Sequence, residues 1–198
     1  MTTIADIRDR IRKDLHDTDA ADYRWPDTQL DRHIEHALEE VSLAIPRELT
    51  VLVPTTAGSA DVSLTSLEGL IEIERAEYPA GQFPVCVAPF TRWGETLSLV
   101  LESLPAGDDV RLSYTARHTL DASGSTLAPF LEDLVVTGAG AYAVLEQAAF
   151  TADVLTTGAN VSERYEGWAR ARLIAFRQLL FQYGRNNRVR TRVLRAAR

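Results

Sequence analysis

The sequence predicts an α+β fold in which a helical bundle, drawn from both ends of the chain, carries an inserted antiparallel β barrel or sandwich. Apolar residues recur with helical spacing in residues 1–48 and 118–184, whereas residues 49–117 alternate with a period near two. A basic segment, residues 185–198, follows and is expected to form an extended arm. The 198 residues, 45% of them hydrophobic, are enough to bury a core in one domain or in a domain with an insertion.

Two helices are predicted before the β module. Thr3 and Asp6 form a capping pair at the start of the first helix, and Asp27 caps the second. Trp25 fixes the start of the second helix against the core, and Pro46 ends that helix. The apolar positions are Ile4, Ile7, Ile11 and Leu15 in the first helix, and Leu30, Ile34, Ala37, Leu38, Val41 and Ile45 in the second.

Short β-prone runs follow at a spacing of roughly ten residues. They cover residues 50–53, 62–64, 70–78, 83–90, 97–101 and 110–114. Turn-forming sequences separate them, for example at residues 57–59, 79–81 and 105–108. We therefore expect antiparallel meanders that close into a small barrel or sandwich.

Helical spacing returns in the C-terminal third of the chain. Ser125 or Thr126 can cap a third helix, with Pro129 in its first turn, and Asn160 caps a fourth helix that Gly184 ends. The third helix contains a thin segment of small residues, Gly138, Ala139, Gly140, Ala141 and Ala143. The fourth is expected to turn Tyr165, Trp168, Leu173, Phe176, Leu179, Leu180 and Tyr183 inward. The two helix pairs must pack together, because neither pair alone could bury its apolar stripe.

Few residues could bind a metal ion or a phosphate group. His33, His36 and Glu40 share one face of the second helix at a spacing that can hold a metal ion. A solvated polar face explains them better, because no second group of ligands accompanies them. The Gly138–Gly140 segment follows no strand and lacks the lysine of a phosphate-binding loop.

The remaining candidates for chemistry are equally weak. The loop that holds Asp14, His16, Asp17 and Asp19 lacks the glycine and final glutamate of a calcium site, so we interpret it as a polar linker. Cys86 is the only cysteine, which excludes an intrachain disulfide, and its place in an alternating run predicts a buried small residue. We predict no catalytic residues, no metal site, no cofactor and no membrane span.

The basic arm is the most informative segment of the chain. It contains six of the 21 basic residues and no acid, so the first 184 residues hold 15 basic and 28 acidic residues, a net charge of −13. A merely solubilising tail does not need apolar residues among its arginines, and we therefore expect the arm to dock on a partner. The predicted docking residues are Arg185, Arg188, Val189, Arg190, Arg192, Val193, Leu194, Arg195 and Arg198.

Two motifs resemble the head-to-tail adaptor, or connector, proteins of tailed bacteriophages. The first is Tyr23-Arg24-Trp25-Pro26-Asp27 followed by Leu30, Ile34 and Ala37, after a short amphipathic helix and an Asp-rich loop. The second is Ser125-Thr126-Leu127 and Phe130-Leu131-Glu132-Asp133-Leu134, which lead into Gly138–Ala143. The similarity covers about half of the chain, and the β insertion departs from the smallest, all-helical members of the family.

The resemblance implies a structural part of the virion neck, made in the host cytoplasm. In this family many copies form a ring below the portal, the C-terminal segment holds the portal protein, and double-stranded DNA passes through without sequence-specific binding. Its partners would be the portal protein, a tail, stopper or tail-terminator protein, and further copies of the chain. The small residues of the third helix would suit close packing in the ring, namely Gly138, Ala139, Gly140, Ala141 and Tyr142.

Two other functions stay open. A nucleic-acid-binding protein could use the arm on phosphates, with an affinity that falls steeply with salt. The charge of −13 on the rest of the chain weakens this alternative, because that part would repel the same duplex. The chain could also be another neck component, such as a stopper or tail-completion protein.

Overall fold

A computed structural model describes residues 2–154 and 159–187, with side chains described for residues 2–149 and 164–184. Over these residues the chain is an α+β protein with four helices and two antiparallel sheets. It divides into two compact units. The helical unit combines the chain up to Ile45 with the chain from His118 onward, and the β unit is Pro46–Arg117.

The helical unit is built around α3. Its helices are α1 (Ile4–Asp14), α2 (Asp27–Ala44), α3 (Pro129–Val154) and α4 (Ala159–Asn187). Helix α3 packs against the other three, and all four contribute to one hydrophobic core. Trp25 belongs to this core and donates a hydrogen bond from Nε1 to the carbonyl of Ala143 at 3.2 Å. The indole therefore fastens the start of α2 to α3.

The starts of the first two helices differ in their capping. At α1 the predicted pair is confirmed, because the Thr3 hydroxyl and the Asp6 carboxylate each accept from the other residue's backbone. At α2 the prediction is wrong, because Pro26 is the N-cap and Asp27 is the first helical residue. The Asp27 carboxylate is instead held by Arg8 and Arg12 of α1. This acid joins two helices and leaves the backbone of α2 without a side-chain cap.

A buried ion pair, which the sequence analysis does not predict, organises the loop between α1 and α2. Arg12 Nη1 donates to Asp17 Oδ2 at 2.6 Å, and Arg12 Nη2 donates to the Trp25 carbonyl at 2.8 Å. Asp17 Oδ1 also accepts from the backbone N–H of Arg24 at 2.8 Å, and the Arg12 guanidinium lies over the Tyr23 ring. Asp17 is buried, so the polar-linker interpretation is wrong for this residue.

Three predicted helix boundaries in the C-terminal part are also wrong. Ser125 and Thr126 precede α3 by several residues and bond within their own turn, while Pro129 is the first residue of the helix. Asn160 lies inside α4, which begins at Ala159. Gly184 does not end α4, which continues to Asn187. A Cβ at Gly184 would lie 2.8 Å from the Ala44 carbonyl oxygen, so close packing on α2 explains this glycine.

The β unit contains two antiparallel sheets. Its strands are β1 (Arg47–Pro54), β2 (Asp61–Ser63), β3 (Leu70–Glu77), β4 (Val87–Ala88), β5 (Phe90–Trp93), β6 (Thr96–Leu99) and β7 (Asp109–Ala116). The orders are β1-β7-β3-β4 and β2-β6-β5. The described strands form no closed barrel, and the pairing of β1 with the last strand contradicts a simple meander. One hydrophobic cluster takes side chains from both sheets, including Ile73 and Leu112 from one and Leu97 from the other.

The predicted strand over residues 83–90 is mostly wrong. Only Val87–Ala88 pairs with β3, and the chain then begins a separate strand at Phe90 in the other sheet. Pro84 has no N–H to donate to a ladder, which keeps the start of this segment out of a sheet. Cys86 is exposed and lies outside the strands, so the expectation of a buried cysteine is also wrong.

Candidate interaction surfaces

The predicted docking arm begins inside a helix. Arg185 lies in the last turn of α4, which includes the first three arm residues. The other predicted docking residues, Arg188, Val189, Arg190, Arg192, Val193, Leu194, Arg195 and Arg198, lie outside the described residues. The segment available as an arm therefore starts after Asn187, and not at residue 185.

The small residues of α3 pack within their own chain. Ala139 and Ala141 are fully buried, and a Cβ on Gly138 would lie 2.9 Å from the Phe176 ring of α4. Gly140 faces Ile11 of α1. The expectation that this segment contacts a neighbouring copy is therefore corrected, because its small side chains allow α1 and α4 to approach α3 closely. Of the five predicted residues, Tyr142 alone is half-buried.

Tyr142 lies at the centre of a polar cluster between α2 and α4. Its hydroxyl donates to Glu40 Oε1 at 2.8 Å, and its ring meets the His36 ring edge-on, with centroids 4.6 Å apart. Burial and the neighbouring Glu40 carboxylate raise the pKa of Tyr142, and Arg177 of α4 opposes this effect. The phenol therefore stays protonated and joins three helices by hydrogen bonds.

Glu146 organises a second cluster on the same side of α3. It is bonded by Arg32, by Gln29 Nε2 at 2.8 Å and by His33 Nε2 at 2.6 Å. The hydrogen bonds from Arg32 and Gln29 lower the pKa of Glu146 to about 2. Burial lowers the pKa of His33 and outweighs the opposing effect of Glu146, so His33 is neutral at pH 7.

The predicted polar face of α2 is therefore only partly solvated. His33 is buried, whereas His36 is exposed. His33 bonds Glu146 while His36 pairs with Glu40, so the two histidines serve different clusters. Among the described residues, no group of histidine, cysteine and acidic side chains has the arrangement of a metal site.

The outward face of α4 is apolar and basic. Ile174 and Phe181 are 59% and 74% exposed and lie seven residues apart, which places them on the same face two turns from each other. The exposed small residues of this face are Gly167, Ala171 and Ala175. Helical spacing predicted a helix with one inward stripe, but nothing in that pattern showed that a second stripe would stay uncovered.

A cleft of about 520 Å³ opens beside the start of α4. Tyr165 and Trp168 line it, so their predicted inward positions are wrong: both are exposed at this cleft. Among its lining residues Trp25 and Val144 are buried, whereas Arg24 and Arg164 are exposed. Asp14 is the only acid among the described lining residues, and Arg172 of α4 pairs with it at 2.7 Å. The described lining consists of Asp14, Leu15, His16, Arg24, Trp25, Val144, Arg164, Tyr165 and Trp168.

Two aromatic side chains are almost fully exposed on the β unit. Trp93 ends β5 beside a two-residue turn that begins with Gly94 at positive φ, and its side chain is 91% exposed. Phe83 lies in the loop between β3 and β4 and is 98% exposed. Large aromatic side chains of this kind commonly anchor protein interfaces.

A scan against known protein families gives no match, and a search of curated proteins gives none either. Within the described part of the chain, no helix is both long enough and apolar enough to cross a bilayer.

Proposed function

We propose that this chain is a structural, non-enzymatic neck protein of a tailed bacteriophage, an adaptor that forms a ring between the portal and the tail. The observation that carries the proposal is the outward face of α4, where large apolar side chains face solvent on a helix that runs directly into a basic segment. A chain with such a face is suited to assembly with other chains. The residue patterns that resemble the adaptor family indicate which assembly we propose, namely the ring between the portal and the tail.

In this proposal each part of the chain has a separate task. The helices form a bundle in the wall of the ring, the β unit acts as a sandwich-like projecting module, and the arm anchors the portal. The acidic composition of the first 184 residues repels phosphates, so packaged DNA could pass through the ring without adhering to it. The same repulsion acts between copies, and we expect weak association of the free protein at micromolar concentration.

The arm carries the proposed portal contact. Arginine side chains can make bidentate bonds to carboxylates in a portal crevice, while Val189, Val193 and Leu194 would bury against apolar walls. Each copy in a ring offers one arm, so weak individual contacts would add up to firm attachment. The phosphate-binding alternative uses the arginines alone.

Truncation after Asn187 tests the anchor, because it removes the arm and keeps the whole of α4. We expect the truncated protein to keep its helical circular dichroism and to lose binding to DNA-filled heads that carry the portal of the phage encoding this chain. Such heads should leak their genome.

A second variant separates docking from phosphate binding. Val189, Val193 and Leu194 are replaced together by serine, and every arginine is kept. A docking arm should lose the portal, whereas a phosphate-binding arm should retain a salt-dependent affinity for duplex DNA. Normal portal binding by either variant would show that the anchor lies elsewhere and would contradict the proposal.

A further inference from the structure

The cleft beside the start of α4 contains two arginines that no described acid neutralises. Arg24 and Arg164 line it and are exposed, and neither forms an ion pair with an acid among the described residues. Asp14 is the only acid of the described lining, and its ion pair with Arg172 cancels both charges. The two exposed acids of the α1–α2 loop lie outside that lining. The cleft is therefore positively charged, although the whole chain is acidic.

Two aromatic side chains of α4 give the same cleft an apolar wall. Tyr165 and Trp168 are three residues apart, which places them on one side of the helix, and they are 44% and 37% exposed. The guanidinium of Arg172 lies 4.9 Å from the centroid of the Trp168 ring and is held there by its bond to Asp14. A ligand that fits this lining combines negative charge with an apolar side chain.

The buried ion pair of the α1–α2 loop holds Arg24 in position at the cleft. The backbone N–H of Arg24 donates to Asp17 Oδ1 at 2.8 Å, and Arg12 in turn bonds Asp17. On the side of α4, Arg24 Nη1 lies 3.5 Å from the hydroxyl oxygen of Tyr165. The loop and the helix thus present a cation and an aromatic ring next to each other. A site whose backbone is already fixed loses less conformational entropy when a ligand binds.

We infer that this cleft binds a short acidic peptide segment of a partner protein, in which carboxylates flank an aromatic or aliphatic side chain. The carboxylates would accept hydrogen bonds from Arg24 and Arg164, and the apolar side chain would cover Trp168. A volume of about 520 Å³ lies in the range of ligand-binding clefts. The net charge of −13 on the first 184 residues repels a nucleic-acid strand more strongly than a segment with two carboxylates. This site goes beyond the adaptor assignment and does not depend on it.

Titration of the full chain with the peptide acetyl-Asp-Phe-Asp-amide tests the site by NMR. The chain has three tryptophans, so its indole N–H signals are few, and loss of one signal in Trp168→Phe assigns it. The peptide should shift the Trp168 signal to saturation and leave that of Trp93, on the β unit, unchanged. The uncharged peptide acetyl-Asn-Phe-Asn-amide should bind roughly tenfold more weakly or worse, because hydrogen bonds between charged groups contribute more.

Two charge reversals on α4 give a matched comparison. Arg164→Glu, at the cleft, should weaken binding of the acidic peptide roughly tenfold or more, and Arg24→Glu should do the same from the loop. Arg170→Glu makes the same change at an exposed position outside the described lining and should alter the affinity less than about threefold.

Four results would overturn the inference. They are an unmoved Trp168 signal at roughly 10 mM peptide, equal affinity for the charged and uncharged peptides, equal weakening by Arg164→Glu and Arg170→Glu, and tighter binding of a thymidine trinucleotide. The trinucleotide has two phosphodiesters and thus the same charge as the acidic peptide, so it separates a peptide site from a nucleic-acid site. Portal binding by Arg164→Glu should stay normal, because the arm is unchanged.

Discussion

Glycine has two different roles within α4, and the surroundings of each glycine decide which one applies. Gly184 lies against the backbone of α2, where a Cβ would come within 2.8 Å of the Ala44 carbonyl oxygen. Gly167 lies on the exposed face, and a Cβ there would meet nothing within 4 Å. The first glycine allows two helices to touch, whereas the second only adds flexibility to the helix.

The two glycines make a matched pair for mutation. Gly184→Ala should destabilise the protein by about 1–3 kcal/mol, because the backbone at Ala44 cannot move aside as a flexible side chain could. Gly167→Ala should stabilise it by up to about 1 kcal/mol through helix propensity. Urea unfolding followed by circular dichroism measures both values. Equal effects of the two substitutions would show that the contact with Ala44 is not tight.

At the scale of elements, the side chain of Arg12 holds the connection between α1 and α2 in place. This one guanidinium bonds a carboxylate in the loop, a carbonyl before α2 and a carboxylate at the start of α2. The side chains of Arg12 and Asp17 are both nearly inaccessible to solvent. A buried ion pair of this kind fixes the geometry of the groups that it joins. The loss of stability is greatest when only one partner is removed, because the other charge then stays buried and unpaired.

Arg12→Met should therefore destabilise the protein by about 3–5 kcal/mol, because Asp17 would remain charged and buried without its cation. Arg170→Met is the control. It removes an exposed pair with Glu166 on the surface of α4 and should cost less than about 0.5 kcal/mol at micromolar protein. Thermal unfolding of both variants checks the difference, and a small effect of Arg12→Met would contradict a stabilising role for the buried Arg12–Asp17 pair.

Helical periodicity predicted the elements of this chain better than their ends or partners. Leu30, Ile34, Ala37 and Val41 are buried as expected, because a period of 3.6 residues places them on one face of α2. The pairing of β1 with β7 joins segments about 60 residues apart, and no local pattern specifies such a contact. The role of Gly184 cannot be predicted from local sequence for the same reason, because the residue it contacts, Ala44, lies on another helix.

The candidate surfaces also combine features that local sequence predicts with features that depend on contacts between elements. Sequence singled out Tyr142 and the arm from local composition, but the clusters around Tyr142 and Glu146 depend on α2 lying beside α3. The exposed positions of Ile174 and Phe181 could not be predicted, because a helical period shows an apolar stripe without showing what covers it.

For the whole molecule, the two units each have their own hydrophobic cluster. The chain leaves the helical unit after Ile45 and returns at His118, and these two residues are joined by a hydrogen bond of 3.0 Å from His118 Nε2 to the Ile45 carbonyl. The backbone N–H of His118 also donates to Ser42 Oγ at 3.1 Å. A short connection could therefore replace the whole β unit without stretching the helices.

Replacement of residues 46–117 by a short Gly-Ser linker should leave a folded helical unit. We expect its helical circular dichroism and a cooperative thermal transition to persist, because its core takes no side chain from the excised segment. The isolated fragment 46–117 is the companion experiment and should show a β-type spectrum. Loss of the helical signal on excision would mean that the two units fold only together.

The contact between Gly184 and Ala44 also determines how the helical unit would bear mechanical load. The C-terminal segment leaves α4 three residues after Gly184, and Ala44 is one residue before the point where the chain leaves for the β unit. A load that presses the end of α4 toward α2 would be carried directly by the two backbones at this contact, because Gly184 places no side chain between them. The end of α4 would thus keep a fixed position beside the point where the chain leaves for the β unit.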